Sequence, residues 1–276
     1  MRAEDPVIRT AVAADLPSIA RISLANDEPV GDPDRPGSRY LDHLLEHARL
    51  LVAEADGRIA GFAGAIELPM GWFLTDLFVD PPDQGHGIGR ALLTEVLPAE
   101  GARLTFSSSD PRALPLYIRA GMAPRWPLLY LASPSEASLP TVTRQVWTVD
   151  AAEAAALERE LGGHDRAREW EFWAGRPGAR PFAIGAGGRA EAIGVAVPGQ
   201  LVRLVLGPAV DAIEAVLAGL GATPGGRPAA LAIPGPHPAT RGLLERGWRI
   251  AGVDTHMSSG PDLIDPTRLL PDPSLA

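Results

Sequence analysis

Residues 75–93 read TDLFVDPPDQGHGIGRALL. An apolar, strand-like run ends at Val79, two prolines interrupt it, glycines stand at 85, 87 and 89, and a helical pattern begins at about Ile88. Glycine has the most backbone freedom to lose on folding, so three in five residues lower local stability. A strand, a glycine turn and a helix N-terminus have a chemical use together. Unbonded amides converge there, the helix dipole adds partial positive charge, and missing Cβ atoms let an anion such as a phosphate approach. The dinucleotide fingerprint G-x-G-x-x-G fails, because Arg90 stands where its last glycine belongs. The P-loop fails for want of lysine, since all 25 basic residues are arginine. What remains is Q-x-x-G-x-G, met by Gln84, Gly87 and Gly89.

Upstream of this stretch, the pattern predicts a strand at 7–11, a helix after Asp15, a helix at 39–48, and strands at 50–55 and 59–67 joined by the hairpin signal Asp56-Gly57. The strand at 72–79 leads into the glycine loop and a helix over 88–97. Beyond come a strand at 103–107, a helix at 111–120 and a strand at 125–131. Residues 133–140 are small, polar and proline-bearing, as a linker would be. The same order then recurs: strand 142–147, helices 151–161 and 165–173, strands 181–185, 191–197 and 201–206, helix 211–220, strand 229–233, helix 238–246 and strand 248–257. SSDPRALPLYIRAGM lies over IPGPHPATRGLLERGW, each with a proline-bearing helix start and a helix-stopping glycine, Gly121 and Gly247. A tandem duplication is expected, with domains at 1–132 and 141–276.

The strand TDLFVDP, the loop QGHGIGRALL and the later segment DPRALPLYIRAGM together resemble the GNAT superfamily of acetyl-CoA-dependent N-acetyltransferases, over most of residues 7–131. The third segment is similar to the family's N-x-x-A-x-x-L-Y-x-x-x-G-F, with Asp110 in place of Asn and Met122 in place of Phe. The resemblance implies an α/β (α+β) fold of two GNAT-like domains, each a mixed, mostly antiparallel sheet flanked by helices. It implies that the backbone from Gln84 through Gly85, His86, Gly87, Ile88 and Gly89 to Arg90 cradles the diphosphate of acetyl-CoA. It also implies that the strand holding Leu77, Phe78 and Val79 splays from its neighbour and pairs with the pantetheine arm. Amides at the strand end would then stabilise the oxyanion as an amine attacks directly.

In that family frame Tyr117 is the general acid for the departing thiolate, and Asp76 is the nearest carboxylate to serve as base. Asp76 alternates with Leu77 and Val79, so it faces the opposite side unless a bulge intervenes; Thr75 or a water chain is the alternative. Asp110 is expected among the cofactor-side residues, with helix capping as its local role. His86 faces solvent or the coenzyme phosphate.

The second half lacks these features. Ile213 stands at the place of Gly89, Leu243 at that of Tyr117, and Asp211 and Glu214 near the helix start would repel a diphosphate. This half reads as a degenerate repeat that packs on the first or closes the acceptor pocket. Its aromatic cluster Trp170, Phe172 and Trp173 serves either packing or that pocket.

Composition bounds the alternatives. A net charge of −9 argues against nucleic acid and anionic membranes and favours cationic partners, here a small-molecule or peptide amine. The absence of cysteine excludes disulfides and thiolate chemistry. No signal segment or membrane-length apolar run is present in the sequence, so a cytoplasmic bacterial enzyme, monomer or homodimer, is the expectation. Two rival readings stay open. His43, Glu46 and His47 match the zinc motif H-x-x-E-H, against the expectation of no metal, and a silent acetyl-CoA sensor would keep the loop without chemistry.

Overall fold

The computed structural model describes residues 6–28, 30, 38–134, 144–223, 229–260 and 263–276; positions 135–140 of the expected linker and the start of the strand expected at 142 lie outside them. The first run of elements is β1 (Val7–Thr10), α1 (Leu16–Ala25), α2 (Arg39–His47), β2 (Arg49–Ala55), β3 (Arg58–Leu68), β4 (Gly71–Val79), α3 (Ile88–Val96), β5 (Arg103–Ser107), α4 (Ala113–Arg119) and β6 (Ala123–Ala132). The second is β7 (Gln145–Thr148), α5 (Ala151–Glu160), α6 (Ala167–Ala174), β8 (Arg180–Ala186), β9 (Arg189–Val197), β10 (Gln200–Leu206), α7 (Ala212–Gly221), β11 (Ala230–Pro234), α8 (Pro238–Glu245) and β12 (Arg249–Ser258), followed by a short β13 (Leu269–Leu270). The order of strands and helices is the same in both runs. Even the helix stops repeat: after α4 the amide of Met122 bonds the Tyr117 carbonyl, and after α8 that of Trp248 bonds the Leu243 carbonyl.

Contacts divide the chain into two units, one of residues 1–105 and 116–122, the other of 106–115 and 123–276. In the first unit the strands run β1-β2-β3-β4-β5. Pairing is antiparallel up to β4. The β4–β5 step is parallel and brief, Trp72 opposite Arg103 and Phe73 opposite Leu104. Asp56 and Gly57 are both left-handed, with φ of 50° and 72°, as a two-residue hairpin requires. α3 buries Ile88, Leu92, Leu93 and Val96, one stripe at helical spacing.

In the second unit the order is β12-β6-β11-β10-β9-β8-β7, with β13 beside β10. Its core joins Phe182, Ile184, Leu204, Val216, Leu220, Ile233 and Leu243. Trp170 and Trp173 are fully buried. Their indole N–H groups donate to Glu158 (2.7 Å) and Asp272 (2.8 Å), and Arg203 pairs with Glu158 at 2.8 Å, so these aromatics serve packing. One assignment differs from the sequence expectation. β6 was expected to close the first domain at residue 132, but it lies in the second unit, between β11 and β12. Alternating apolar residues make a strand of 123–132 without naming its neighbours. The linker's first residue, Ser133, is itself bonded to Ala229. Among the described residues no helix is long and apolar enough to cross a membrane.

Candidate active site

β4 is where the first unit departs from regular pairing. Gly64 lies opposite Asp76 and Ala65 opposite Leu74, so Thr75 is an extra, bulged residue. Gly64 makes room for it: a Cβ there would sit 2.6 Å from Thr75 Oγ1. Beyond the bulge β4 has no further pairing with β5, and Thr105 Oγ1 closes the last step by donating to the Leu74 carbonyl at 2.9 Å. The amide of Asp80 bonds back to Ala60 of β3 at 2.8 Å. Strand alternation therefore turns the main-chain groups of Phe78 toward β3 and those of Leu77 and Val79 to the open side. The carbonyl of Val79 already accepts from Asn26 Nδ2 and Gln84 Nε2, each 3.1 Å. Among the described residues, the Leu77 N–H and C=O and the Val79 N–H are left without a ladder partner. Phe78, expected to help hold the donor, instead pairs its backbone with Phe62 and packs its ring 5.6 Å from the Phe62 ring.

The loop that follows is held from below. Gln84 also donates to Asn26 Oδ1 (3.0 Å), and Asp83 takes two bonds from Arg58 (2.6 and 2.7 Å). Gly85 and Gly87 have φ of 84° and 90°, left-handed values that disfavour any side chain, and a Cβ on either would meet nothing within 4 Å. Gly87 is the N-cap of α3 and offers no side-chain cap; the first helical bond runs from Ala91 to the Gly87 carbonyl. The amides of Ile88, Gly89 and Arg90 thus point out of the helix end. Gly89 faces Val79, 3.6 Å from where its Cβ would be. His86 and Arg90 are exposed, and His86 Nδ1 lies 3.2 Å from the Asp83 carbonyl. Open left-handed glycines, an uncapped helix and a free strand edge in sequence fit a diphosphate carried on an extended, amide-bearing arm.

Asp76 lies on the face of β4 opposite Val79. Leu44 of α2 and Asp76 Oδ2 both stand 3.6 Å from a Cβ built on Gly64, whereas Gly61 faces Ile88 and Leu92 of α3. The alternation expected from sequence therefore holds past the bulge. Tyr40 of α2 donates its hydroxyl to Asp76 Oδ2 at 2.6 Å. Burial pushes the Asp76 carboxyl above the usual range, and the hydroxyls of Tyr40 and Thr75 oppose that push. Tyr117 is buried on α4. Asp110 turns to its own chain: it accepts from the Arg112 amide at 2.8 Å and pairs with the Arg112 guanidinium at 2.6 Å, which holds its carboxyl below the usual range. α4 accordingly starts at Ala113, not at Pro111.

Sequence reasoning missed Tyr40, Asn26 and Gly64, which act across the fold and belong to no local motif. His43 and His47 stack edge to face at 4.9 Å, and among the described residues no group of three or more His, Cys, Asp or Glu could hold a metal ion. The zinc alternative finds no support. A cleft of about 770 Å³ opens elsewhere on the first unit, lined by Arg9, Arg21, Arg58, Asp15, Glu54 and Asp80. Its arginines are paired with carboxylates, and neither Asp76, Tyr117 nor the glycine loop lines it.

Comparison with known proteins gives this geometry a family. Residues 46–121 match the acetyltransferase (GNAT) domain. An aminoglycoside N(6')-acetyltransferase type 1 of Stenotrophomonas maltophilia is 36% identical over 106 residues, covering 35% of this chain and 68% of that protein. Among solved structures, a candidate acetyltransferase from Pyrococcus horikoshii superposes with a TM-score of 0.75 at 16% identity, covering 100% of this chain and 96% of that one. A tandem GNAT protein from the clavulanic acid biosynthesis pathway gives 0.61 at 16% identity, covering 94% and 100%. The chain belongs to the GNAT acetyltransferases, as an N-acetyltransferase with two domains of that fold.

Proposed function

We propose that the first unit transfers an acetyl group from acetyl-CoA to a primary amine of a small molecule, by direct attack with both substrates bound. The observation that carries this is the pairing of an uncapped, glycine-opened α3 with a β4 edge whose ladder to β5 ends at Phe73. The donor supplies an activated acyl group as a thioester. Amides from Gly85 to Arg90 hold its diphosphate, and the open groups of Leu77 and Val79 bond its arm. Asp76 takes a proton from the attacking ammonium, with its Oδ2 held by the Tyr40 hydroxyl. Tyr117 returns a proton to the leaving thiolate. The aminoglycoside-modifying relative and the net charge of −9 both support a soluble, amino-bearing acceptor.

The test is coenzyme A release with acetyl-CoA and a panel of amines, including aminoglycosides and peptides. Turnover with at least one small amine is expected; donor binding with no turnover on any amine would instead establish a sensor. Gly87→Glu places a carboxylate in the anion cradle at a left-handed position, at a conformational cost of roughly 1–2 kcal/mol. Acetyl-CoA affinity should drop at least about a hundredfold, near 3 kcal/mol, with the circular dichroism spectrum unchanged. Unaltered affinity would remove the loop from the site.

A further inference from the structure

The duplication makes β10 the counterpart of β4. Both are paired antiparallel to the preceding strand through one bulge, at Thr75 in β4 and at Val202 in β10. Both meet the next strand in parallel over only two residues, Trp72 and Phe73 in one case, Gln200 and Leu201 in the other. Just past the strand, the Gly207 amide bonds the Glu191 carbonyl at 2.7 Å, as the Asp80 amide bonds that of Ala60 at 2.8 Å. Leu204 and Leu206 are therefore the counterparts of Leu77 and Val79, and they present main-chain groups to a second splayed edge. Buried backbone groups of this kind need partners.

In the second unit they have them. β13 adds to β10 antiparallel, Leu270 opposite Leu204 and Leu269 opposite Val205. The Leu206 amide donates to the Arg268 carbonyl at 2.8 Å, and Arg268 Nε donates to the Leu206 carbonyl at 2.9 Å. That second bond does for Leu206 what Asn26 and Gln84 do for Val79. The segment is anchored further on: Leu270 is 1% exposed, Asp272 accepts from Trp173, and the Leu275 carbonyl accepts from Arg166 at 2.6 Å. The helix that should receive a diphosphate is closed too. Asp211 caps α7 by accepting from the Glu214 amide at 2.9 Å, where α3 has only Gly87.

We infer that the splayed edge of β10 is a strand-accepting site whose ligand is the chain's own segment Arg268–Leu270, and that this occupancy excludes an acyl donor from the second unit. The class of ligand it takes is an extended, amide-bearing chain, the same class proposed for β4, on whose assignment the comparison rests. One site has been kept for a diffusible molecule and its twin filled by a tethered one.

Hydrogen exchange on the 276-residue chain tests this, with Leu270→Asp to undock the segment and Arg268→Ala as a milder variant that keeps the apolar contacts. The Leu206 amide should lose protection at least about tenfold in Leu270→Asp, and partly in Arg268→Ala. A synthetic peptide of residues 263–276 added to Leu270→Asp should restore it. Calorimetric titration of the unaltered protein should find one acetyl-CoA per chain. Unchanged protection in both variants, failure of the peptide to restore it, or two acetyl-CoA equivalents would overturn the inference. No acetyl-CoA binding at all would overturn the donor assignment of the first unit, while the exchange result would stand by itself.

Discussion

Tyr40 and Asp76 form the contact on which the chemistry of the first unit turns. A buried carboxyl favours its neutral form, which cannot act as a base, and the Tyr40 hydroxyl counters this by stabilising the anion. Asp76 is met by the Tyr40 hydroxyl of α2 and lies opposite Gly64 of β3, whose missing Cβ leaves space shared with Thr75 and Leu44. Tyr40→Phe should move the acidic limb of kcat/KM to higher pH and depress turnover at neutral pH, with recovery as pH rises and acetyl-CoA affinity unchanged. A pH-independent loss would make Tyr40 a packing residue only. Because the folded carboxyl is raised, Asp76 favours folding most at low pH, and that contribution is lost as pH rises through its folded pKa. Asp76→Asn should therefore lose turnover at pH 8 without a fall in Tm, the mark of a group kept for function at a cost in stability. None of this was legible in the sequence beyond the presence of Asp76 on the strand. Tyr40 is 36 residues away, and its contact depends on how α2 packs.

Helix starts separate the two repeats as elements. α3 begins at a bare glycine and α7 at an aspartate that bonds its own first turn. Asp211→Ala should cost the second unit about 1 kcal/mol, read as a shift in urea midpoint, and leave acetyl-CoA affinity unchanged. Loss of donor binding would show that α7 belongs to a working site. The difference was visible in the sequence, since a cap and an anion cradle require opposite residues at one position. Most strands and helices were visible too, through alternation and the glycines that stop α4 and α8. β13 was not. Two leucines beside prolines carry no period, and their pairing with β10 comes entirely from tertiary structure.

Across the molecule, acid should act on the second unit through two buried histidines. His237 caps α8 by accepting from the Ala239 amide through Nδ1, and His256 stacks on Trp126 at 4.3 Å; burial lowers each to about 4. The unfolded chain takes up these protons near 6.5, so stability is lost as pH falls from there toward 4, by up to about 3 kcal/mol per histidine. Melting curves at pH 7 and 4.5 should show the loss, and His237→Asn, which keeps an acceptor at the cap without the titration, should reduce it. Equal losses in both proteins would assign the acid sensitivity elsewhere.

The place of β6 bears on biosynthesis. Its ladder partners are residues 230–234 on one side and 249–258 on the other. A nascent chain carries this strand off the ribosome long before either neighbour is translated, and such long-range closures are slow. Ending translation at residue 132 would release β6 with both edges bare, a template for self-association.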